Sequence, residues 1–433
     1  MKSFIRSFFL LALTALFTVS LYMPALSEEA ETVDFAGQIA FDTRSETVKQ
    51  QVTVKTYIDG DTTHFLVPET IVAEGVLKAR YLAVNTPEST GKIEEWGKAA
   101  SSFTREKLEN AEEIWIESDD AQWNLDSTST RYLVWVWYRP QGEQDFRNLN
   151  IELLQEGLAI ANSSAQNRYG DTCMAAIAQA RAQKLRVYSG QKDPDFYYGD
   201  AIELTIKELR LHPEAYDGKK VAFSGVITVN HNNSVFIEDY DAETGLYFGF
   251  SVYYGNNMSG AGLEVLTVGN EARIVGTVQY YEAGHTWQVS GLTYRMMKPK
   301  DPGNIQIISQ GHAPAWTEIT PEQLYSTVTI ETESGPETYE FAYLAQGTTV
   351  RIRGKYAALW EEDASGSTCR LISLDPNEDG VYDVVWLWID PDLSGSLDLK
   401  ENSVYEVRGI VGCDAQNDCR ISVYTKDGVA ILE

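Results

Sequence analysis

The chain has 433 residues, with 63 acidic and 35 basic side chains and a formal net charge of −28. This length allows two to four domains. Residues 191–433 carry 17 basic and 37 acidic side chains (net −20), whereas residues 48–190 carry 15 and 20 (net −5). The charge therefore excludes the C-terminal half as a general surface for polyanions, and it opposes such binding much less in residues 48–190.

The first residues have the pattern of a secretory signal. Lys2 and Arg6 precede an apolar run over residues 8–22, and Ala25-Leu26-Ser27 is a small-x-small cleavage site. The run is short for a membrane-spanning helix, which needs roughly 20 residues. We expect residues 1–27 to be removed and the protein to be secreted, with association with the cell envelope left open. A retained membrane anchor is the alternative. Residues 28–47 then form an acidic N-terminal segment.

Residues 48–190 mix strand and helix patterns. Runs of β-branched and aromatic residues predict strands, whereas apolar residues at helical spacing predict helices. Strands are expected at residues 51–58, 76–84 and 131–138, and helices at residues 96–110, 150–158 and 175–185.

Two linkers, at residues 191–195 and 299–303, contain Asp-Pro and Pro-Gly steps that interrupt regular structure. They divide the chain into domains at residues 48–190, 200–298 and 315–433. The last two domains repeat each other, because segment 221–227 matches 350–356 and segment 272–278 matches 405–411, each with a glycine at its fifth position.

Each repeat also opens with a short capped helix, at residues 205–208 and 320–323. A glycine within a strand commonly marks a bend or bulge where a sheet curls into a barrel. Two small antiparallel barrels are therefore predicted, and residues 213–225 resemble the opening of extracellular OB-fold modules.

Candidate metal ligands lie in two short stretches, Asp59-Gly60-Asp61 and Asn85-Thr86. Asp61 offers a carboxylate, Asn85 an amide oxygen and Thr86 a backbone carbonyl. Ca²⁺ prefers such hard oxygen donors. Taken alone, Asp-Gly is also a common hairpin turn, and Asn85 is equally suited to a solvated loop.

Three further residues suit phosphate chemistry. Glu88 can orient or deprotonate a water molecule. Arg80 and Arg131 can each donate two parallel hydrogen bonds to a phosphate and remain charged, although surface ion pairs are the ordinary use of such residues. Together with a cation, this set favours phosphodiester hydrolysis, where negative charge must be stabilised in the transition state.

The pattern resembles the staphylococcal nuclease (thermonuclease) family over residues 50–190. Five pieces occur in the family's order, at residues 58–62, 80–88, 97–104, 131 and 153–159. The resemblance implies that the first domain is a five-stranded OB-fold barrel with three helices. With the two OB-like barrels predicted above, the expected fold is mainly β with an α+β first domain. It also implies Ca²⁺-dependent cleavage of DNA and RNA.

Transferred by position, the resemblance gives each candidate a role. Asp61, Asn85 and the Thr86 carbonyl would be the metal ligands, Glu88 the general base, and Arg80 and Arg131 the phosphate-binding residues. Asp59 would lie behind the ligands.

Two departures from the family pattern concern the affinity for Ca²⁺ and the affinity for substrate. The second ligand is usually Asp, and Asn85 removes one negative charge, so weaker Ca²⁺ binding is expected. The loop before Arg131 usually reads Asp-x-Tyr-Gly-Arg, but residues 126–131 lack both the Tyr and the Gly.

Other motifs are less specific. Loops 375–383 and 390–401 are acidic, and the second fits the 12-residue EF-hand pattern, but its flanks have strand character, which favours hairpin turns. Cys413 and Cys419 flank a turn and suit a disulfide; reduced thiols are the alternative. The five histidines have no ligand spacing, and no role is assigned to them.

The sequence thus predicts a secreted Ca²⁺-dependent nuclease that acts on DNA or RNA. Its two accessory barrels are expected to bind an unknown extracellular partner or cations rather than nucleic acid. The alternative is a non-catalytic surface or matrix-binding protein that reuses the nuclease barrel as a scaffold.

Overall fold

The computed structural model describes residues 32–432, except residues 333, 364–365, 378, 394–396, 398 and 414–418. The expected signal peptide at residues 1–27 lies outside the described part. Among the described residues, no helix combines the length and apolarity needed to cross a lipid bilayer. Residues 35–433 form one compact unit.

The first part of this unit contains eight strands and four helices within the described residues. The strands are β1 Lys49–Asp59, β2 Thr62–Leu66, β3 Val76–Tyr81, β4 Val84–Asn85, β5 Ala111–Glu117, β6 Tyr132–Pro140, β7 Arg147–Asn148 and β8 Ile160–Ala161. The helices are α1 Phe35–Gln38, α2 Gly97–Glu109, α3 Leu149–Gln155 and α4 Gly170–Ala182.

Five of these strands close into a ring, here called barrel 1, in the order β1-β2-β3-β6-β5. All neighbouring pairs are antiparallel except β3 and β6, which run parallel and close the ring. Inward side chains such as Phe65, Leu77 and Val136 are fully buried. The prediction of a five-stranded barrel with helices in this region is confirmed.

One predicted strand was too long. The strand expected at residues 76–84 ends at Tyr81, because Ala83 has a positive φ of 67° and turns the chain. Val84 and Asn85 then pair with Ala161 and Ile160 instead of continuing along the barrel. This turn carries Asn85 over the end of barrel 1, where the candidate ligands lie.

The predicted acidic segment at residues 28–47 contributes to the core of barrel 1. Phe41 packs its ring against Trp115, Trp137 and Phe146, with ring centroids 5.0–5.6 Å apart. Thr47 donates a hydrogen bond of 2.5 Å to Glu117, a carboxylate that is 1% exposed. The described part of this segment is therefore structural as well as acidic.

The rest of the chain contains sixteen further strands within the described residues. They are β9 Ile202–Glu203, β10 Lys220–His231, β11 Ser234–Asp241, β12 Leu246–Tyr253, β13 Asn270–Tyr281, β14 Thr286–Ser290, β15 Gln306–Gln310, β16 Thr317–Glu318, β17 Thr327–Thr332, β18 Gly335–Glu340, β19 Thr349–Asp363, β20 Gly366–Ile372, β21 Val384–Ile389, β22 Val404–Cys413, β23 Cys419–Val423 and β24 Val429–Ile431. The helices are α5 Ile206–Leu211, α6 Ala261–Val265, α7 Pro321–Leu324 and α8 Phe341–Ala345.

Two more rings repeat the strand order of barrel 1. Barrel 2 has the order β10-β11-β12-β14-β13, and barrel 3 has the order β19-β20-β21-β23-β22. Counted along the chain, the third and fifth strands of each ring are its parallel pair: β12 with β14 in barrel 2, and β21 with β23 in barrel 3. The predicted repeat is thus a repeat of the same five-strand topology, and α5 begins with the predicted capping box between Thr205 and Glu208.

The repeated glycines lie where strands approach closely. A Cβ atom on Gly276 would lie 2.5 Å from the Ser290 carbonyl oxygen, and one on Gly409 would lie 2.5 Å from that of Ser422. Contacts this short exclude any side chain. The glycines therefore permit the close strand pairing that each ring requires.

Barrels 2 and 3 are joined by buried polar groups. Glu238, which is 2% exposed, accepts hydrogen bonds from the backbone N–H groups of Ala315 (2.8 Å) and Thr349 (2.7 Å). Burial raises the pKa of Glu238, and these bonds oppose the rise. Arg210 is 1% exposed and donates to both side-chain and backbone oxygens of Gln346. Burial lowers the pKa of Arg210 to about 10.

The candidate disulfide has suitable geometry. Cys413 and Cys419 face each other in the β22–β23 register, with Sγ atoms 3.4 Å apart. We expect the protein isolated under oxidising conditions to have a bond between them. Alkylation after denaturation without reductant should then label two thiols per chain, those of Cys173 and Cys369; labelling of all four would contradict the prediction. Replacing the Cys413 thiol should cost roughly 2 kcal/mol of stability.

The two acidic loops are only partly described. In loop 375–383, Asn377 Oδ1 accepts from the N–H groups of Asp379 and Val381, as in a hydrogen-bonded turn. In loop 390–401, the buried Asp390 carboxylate lies 2.7 Å from Nε2 of His231 in barrel 2. Residues 378, 394–396 and 398 lie outside the described part, so the comparison with an EF-hand loop stays a prediction.

Candidate active site

The candidate residues lie at one end of barrel 1, in or beside the turn between β1 and β2, the turn after β3 and the loop before β6. Asp61 follows the Asp59-Gly60 turn between β1 and β2. In the next pairing Thr62 lies opposite Arg80 of β3, and the Tyr81 N–H donates to the Asp61 carbonyl at 2.9 Å. This register places residues 61 and 80 side by side although 19 positions separate them.

The Asp61 carboxylate is 1% exposed and fully engaged. Oδ1 accepts from Thr62 Oγ1 at 3.0 Å and from the guanidinium of Arg80. Oδ2 accepts from the Thr86 N–H at 2.9 Å. A buried carboxylate requires such partners, because an unpaired buried charge is strongly destabilising.

Arg80 bridges two of the predicted metal ligands. One nitrogen of its guanidinium bonds to Asp61, and Nη2 donates to Asn85 Oδ1 at 2.6 Å. Burial lowers the pKa of Arg80, and nearby Arg131 adds to this effect while Asp59 opposes it. Arg80 was predicted to bind phosphate, but in this structure it bonds to the oxygens of Asp61 and Asn85.

Asp59 supports the turn from behind. Its Oδ1 accepts from the Asp61 N–H at 3.0 Å, and the residue is 8% exposed. Burial raises the pKa of Asp59, whereas the positive charges of Arg80 and Arg131 lower it. Asp59 therefore lies directly behind Asp61, and its role stays a prediction.

Glu88 lies at the rim of this cluster as an exposed residue. Nearby protein atoms nevertheless desolvate its carboxylate and raise its pKa, as does the charge of Asp59, while Arg80 and Arg131 oppose the rise. These interactions show that Glu88 and both arginines share one electrostatic environment. The structure gives Glu88 no direct bond to Asp61 or Asn85.

Arg131 is held by the loop that departs from the family pattern. Its Nε and Nη2 both contact Asp126 Oδ2, at 2.8 and 2.7 Å. Although burial raises the pKa of Asp126, hydrogen bonds from Thr128 and Arg131 bring it below its usual range. Ser129 in this loop takes a positive φ of 58°, at a cost of roughly 1–2 kcal/mol.

The loop between Glu88 and α2 is tightly folded. The Glu94 N–H donates to the Glu88 carbonyl at 2.9 Å. A Cβ atom on Gly97, the first residue of α2, would lie 2.1 Å from that same carbonyl oxygen. Thr104 of α2 donates to the Gly60 carbonyl at 2.6 Å and so joins the helix to the first turn.

Sequence reasoning did not assign roles to Thr62, Gly97 or Thr104. All three lie in or beside the pieces that carry the family resemblance, so their positions gave a weak signal. Asp193, which bonds to the Trp96 N–H at 2.6 Å, lies in a predicted linker and gave none.

The donor set fits a hard cation. Among the described residues no group of three or more His, Cys, Asp or Glu side chains is placed to hold a metal ion. However, the oxygens of Asp61 and Asn85 converge on one positive group, the Arg80 guanidinium, and Thr86 lies beside them. Carboxylate and amide oxygens that converge in this way are ligands that Ca²⁺ accepts.

Barrel 1 is thus a closed five-stranded barrel with helices and with an Asp–Arg–Asn cluster at one end. Residues 78–189 match the family described as staphylococcal nuclease homologue, and this part of the chain is a domain of that family. The match begins within β3 and does not include the Asp59-Gly60-Asp61 turn. The position of Asp61 at the site is therefore known from the structure alone. A comparison with curated proteins gives no match. The family suggests a nuclease, a hydrolase whose substrate is nucleic acid.

Proposed function

We propose that the protein is a secreted, Ca²⁺-dependent nuclease that hydrolyses phosphodiester bonds of DNA and RNA. The observation that carries this proposal is the convergence of Asp61, Arg80 and Asn85 within a staphylococcal-nuclease-type barrel. Glu88 and Arg131 share its electrostatic environment. Secretion rests on the sequence pattern of residues 1–27.

Each side chain would have a distinct task. Arg80 and Arg131 would bind the phosphate, since a guanidinium stabilises the charge that develops on its oxygens. Both arginines are paired with carboxylates in this structure. Arg80 directs both of its Nη atoms at Asp61 and Asn85, so it would bind a phosphate through its remaining N–H donors or by exchanging these bonds. Glu88, which is not tied to either arginine, would orient and deprotonate the attacking water.

Asp61, Asn85 and the Thr86 carbonyl would hold the cation. Bound there, Ca²⁺ would supply positive charge that polarises the phosphoryl group. Extracellular sites can work with dissociation constants of about 10⁻⁴–10⁻³ M, so a site that has Asn in place of Asp can still function outside the cell.

The direct test uses the full mature chain with single-stranded DNA and RNA at millimolar Ca²⁺, with and without EGTA. Degradation that EGTA abolishes supports the nuclease. Intact substrates under these conditions would favour the non-catalytic surface or matrix-binding protein. The Glu88→Gln variant described below separates intrinsic activity from a contaminating nuclease.

The charge of the second metal position makes a separate prediction. Asn85→Asp should lower the Ca²⁺ concentration that gives half-maximal activity by about tenfold, because it restores a negative ligand. Asn85→Ser keeps an oxygen without the charge and serves as the control. Calcium titration by calorimetry checks the affinity independently of turnover. An unchanged or weaker affinity in Asn85→Asp would show that residue 85 does not contact the ion.

A further inference from the structure

The loop that carries the candidate base contacts a different barrel. This loop, residues 88–96, is here called the Glu88 loop. Its fourth residue, Gly91, donates its N–H to Gln279 Oε1 at 3.2 Å. The Gly91 carbonyl accepts from Ser290 Oγ at 2.8 Å and from Gln279 Nε2 at 3.2 Å. One residue of the Glu88 loop therefore makes three hydrogen bonds to barrel 2.

The two partners are rigidly held. Gln279 is 5% exposed and Ser290 is fully buried. They lie on the paired strands β13 and β14, where Ser290 is opposite Thr277 and Gln279 opposite Gln288. Side chains on paired central strands of a closed barrel have little freedom to move. They present a fixed surface to the loop backbone.

The end of the Glu88 loop is also fixed from outside barrel 1. The Trp96 N–H donates to Asp193 Oδ2 at 2.6 Å, and Asp193 is 2% exposed. Trp96 itself has a positive φ of 68°. The predicted linker at residues 191–195 is therefore part of the support of the loop.

Charged contacts continue from the loop into α2. Lys98 pairs with Asp217 of barrel 2 at 2.8 Å, and Arg105 pairs with Glu282 next to β13. The Lys98 and Asp217 side chains are 53% and 38% exposed, and such surface pairs contribute little. The partly buried bonds at Gly91, whose two partner side chains are buried, are therefore the stronger constraint on the loop.

We infer that barrel 2 is a positioning element of the nuclease site, in which Gln279 and Ser290 hold the Glu88 loop in its working conformation. The inference rests on the proposed function, because it explains how Glu88 is positioned to act as the general base. A general base acts only when its carboxylate is held within hydrogen-bond reach of the water, and a mobile loop reduces the fraction of time that it is. Gln279 and Ser290 are positioning residues, since they act through the loop and not on the substrate.

Hydrogen exchange tests the contact without reference to activity. In the full-length variant Gln279→Ala/Ser290→Ala, peptides that cover residues 86–97 should exchange several-fold faster than in the wild type. The matched control is Gln306→Ala/Ser309→Ala on β15, whose side chains bond at Asp301, Glu271 and His312 within barrel 2. Unchanged exchange in the first variant would overturn the inference. Ser290→Ala alone provides a milder second variant if the double variant is poorly folded.

Kinetics test the consequence. The Gln279→Ala/Ser290→Ala variant should lose about three- to tenfold in kcat, with KM for a single-stranded oligonucleotide within twofold of the wild type. The control variant should keep both values. Faster exchange with unchanged kcat would overturn the positioning role. If the wild type cleaves no nucleic acid, the proposed function fails, while the exchange experiment still decides whether barrel 2 holds the loop.

Discussion

Glu88→Gln should lower kcat for cleavage of single-stranded DNA by about 10²–10⁴-fold, the usual contribution of a general base. The change keeps the size of the side chain but removes the group that accepts the proton. Because Glu88 is exposed and bonds to neither Asp61 nor Asn85 in this structure, the fold and the cation ligands should be preserved. The measurement is initial rate at saturating substrate and millimolar Ca²⁺.

The matched control is Glu69→Gln, the same change at an exposed position in the turn between β2 and β3. It should leave the rate unchanged. Calcium affinity measured by calorimetry should be similar in both variants, which separates loss of the base from loss of the ion. A Glu88→Gln protein with full, EGTA-sensitive activity would remove Glu88 from the mechanism.

Gly97→Ala should destabilise the protein by about 1–3 kcal/mol and lower its activity at the same time. Alanine is favoured over glycine in helices by about 1 kcal/mol, so an increase in stability would be expected from propensity alone. The new Cβ, however, would lie 2.1 Å from the Glu88 carbonyl oxygen and 3.2 Å from that of Pro87. Backbone atoms must shift to relieve this contact, and such overpacking outweighs the gain.

The comparison for this variant is Gly412→Ala on β22, where, among the described residues, the added Cβ would approach only Ser422 Oγ within 4 Å, at 3.8 Å. Its unfolding midpoint in urea should equal or exceed that of the wild type, since alanine costs less backbone entropy than glycine. Gly97→Ala should also speed hydrogen exchange across residues 86–97. A Gly97→Ala protein with wild-type stability and activity would mean that the Glu88 loop adapts without cost.

Much of the nuclease barrel could be predicted because its signals are local. The Asp59-Gly60 turn, the aromatic run of β6 and the helical spacing in α2 each depend on a few neighbouring residues. The family resemblance added the order of these pieces, and the match over residues 78–189 confirms the family for the part of the barrel from β3 onward. The repeated glycines likewise predicted barrels 2 and 3, since a strand that curls needs small residues at its bends.

Errors in the prediction occurred where distant residues compete. The strand expected at residues 76–84 has a continuous β pattern, but pairing with β8 and the left-handed turn at Ala83 end it at Tyr81. The sequence analysis gave the acidic segment at residues 28–47 no packing role, yet the Phe41 ring packs against Trp115, Trp137 and Phe146. Neither outcome depends on local propensity.

The sequence by itself determined the kind of barrel, its repetition and the set of residues suited to phosphate and cation chemistry. Only the tertiary structure decided how they are used: Arg80 bonds to Asp61 and Asn85, and the Glu88 loop is held by Gln279 and Ser290, which are 188 and 199 positions from Gly91. The reason is physical. Turns and periodicity follow from short-range sterics and burial, whereas a hydrogen bond between distant side chains exists only after whole barrels have packed together.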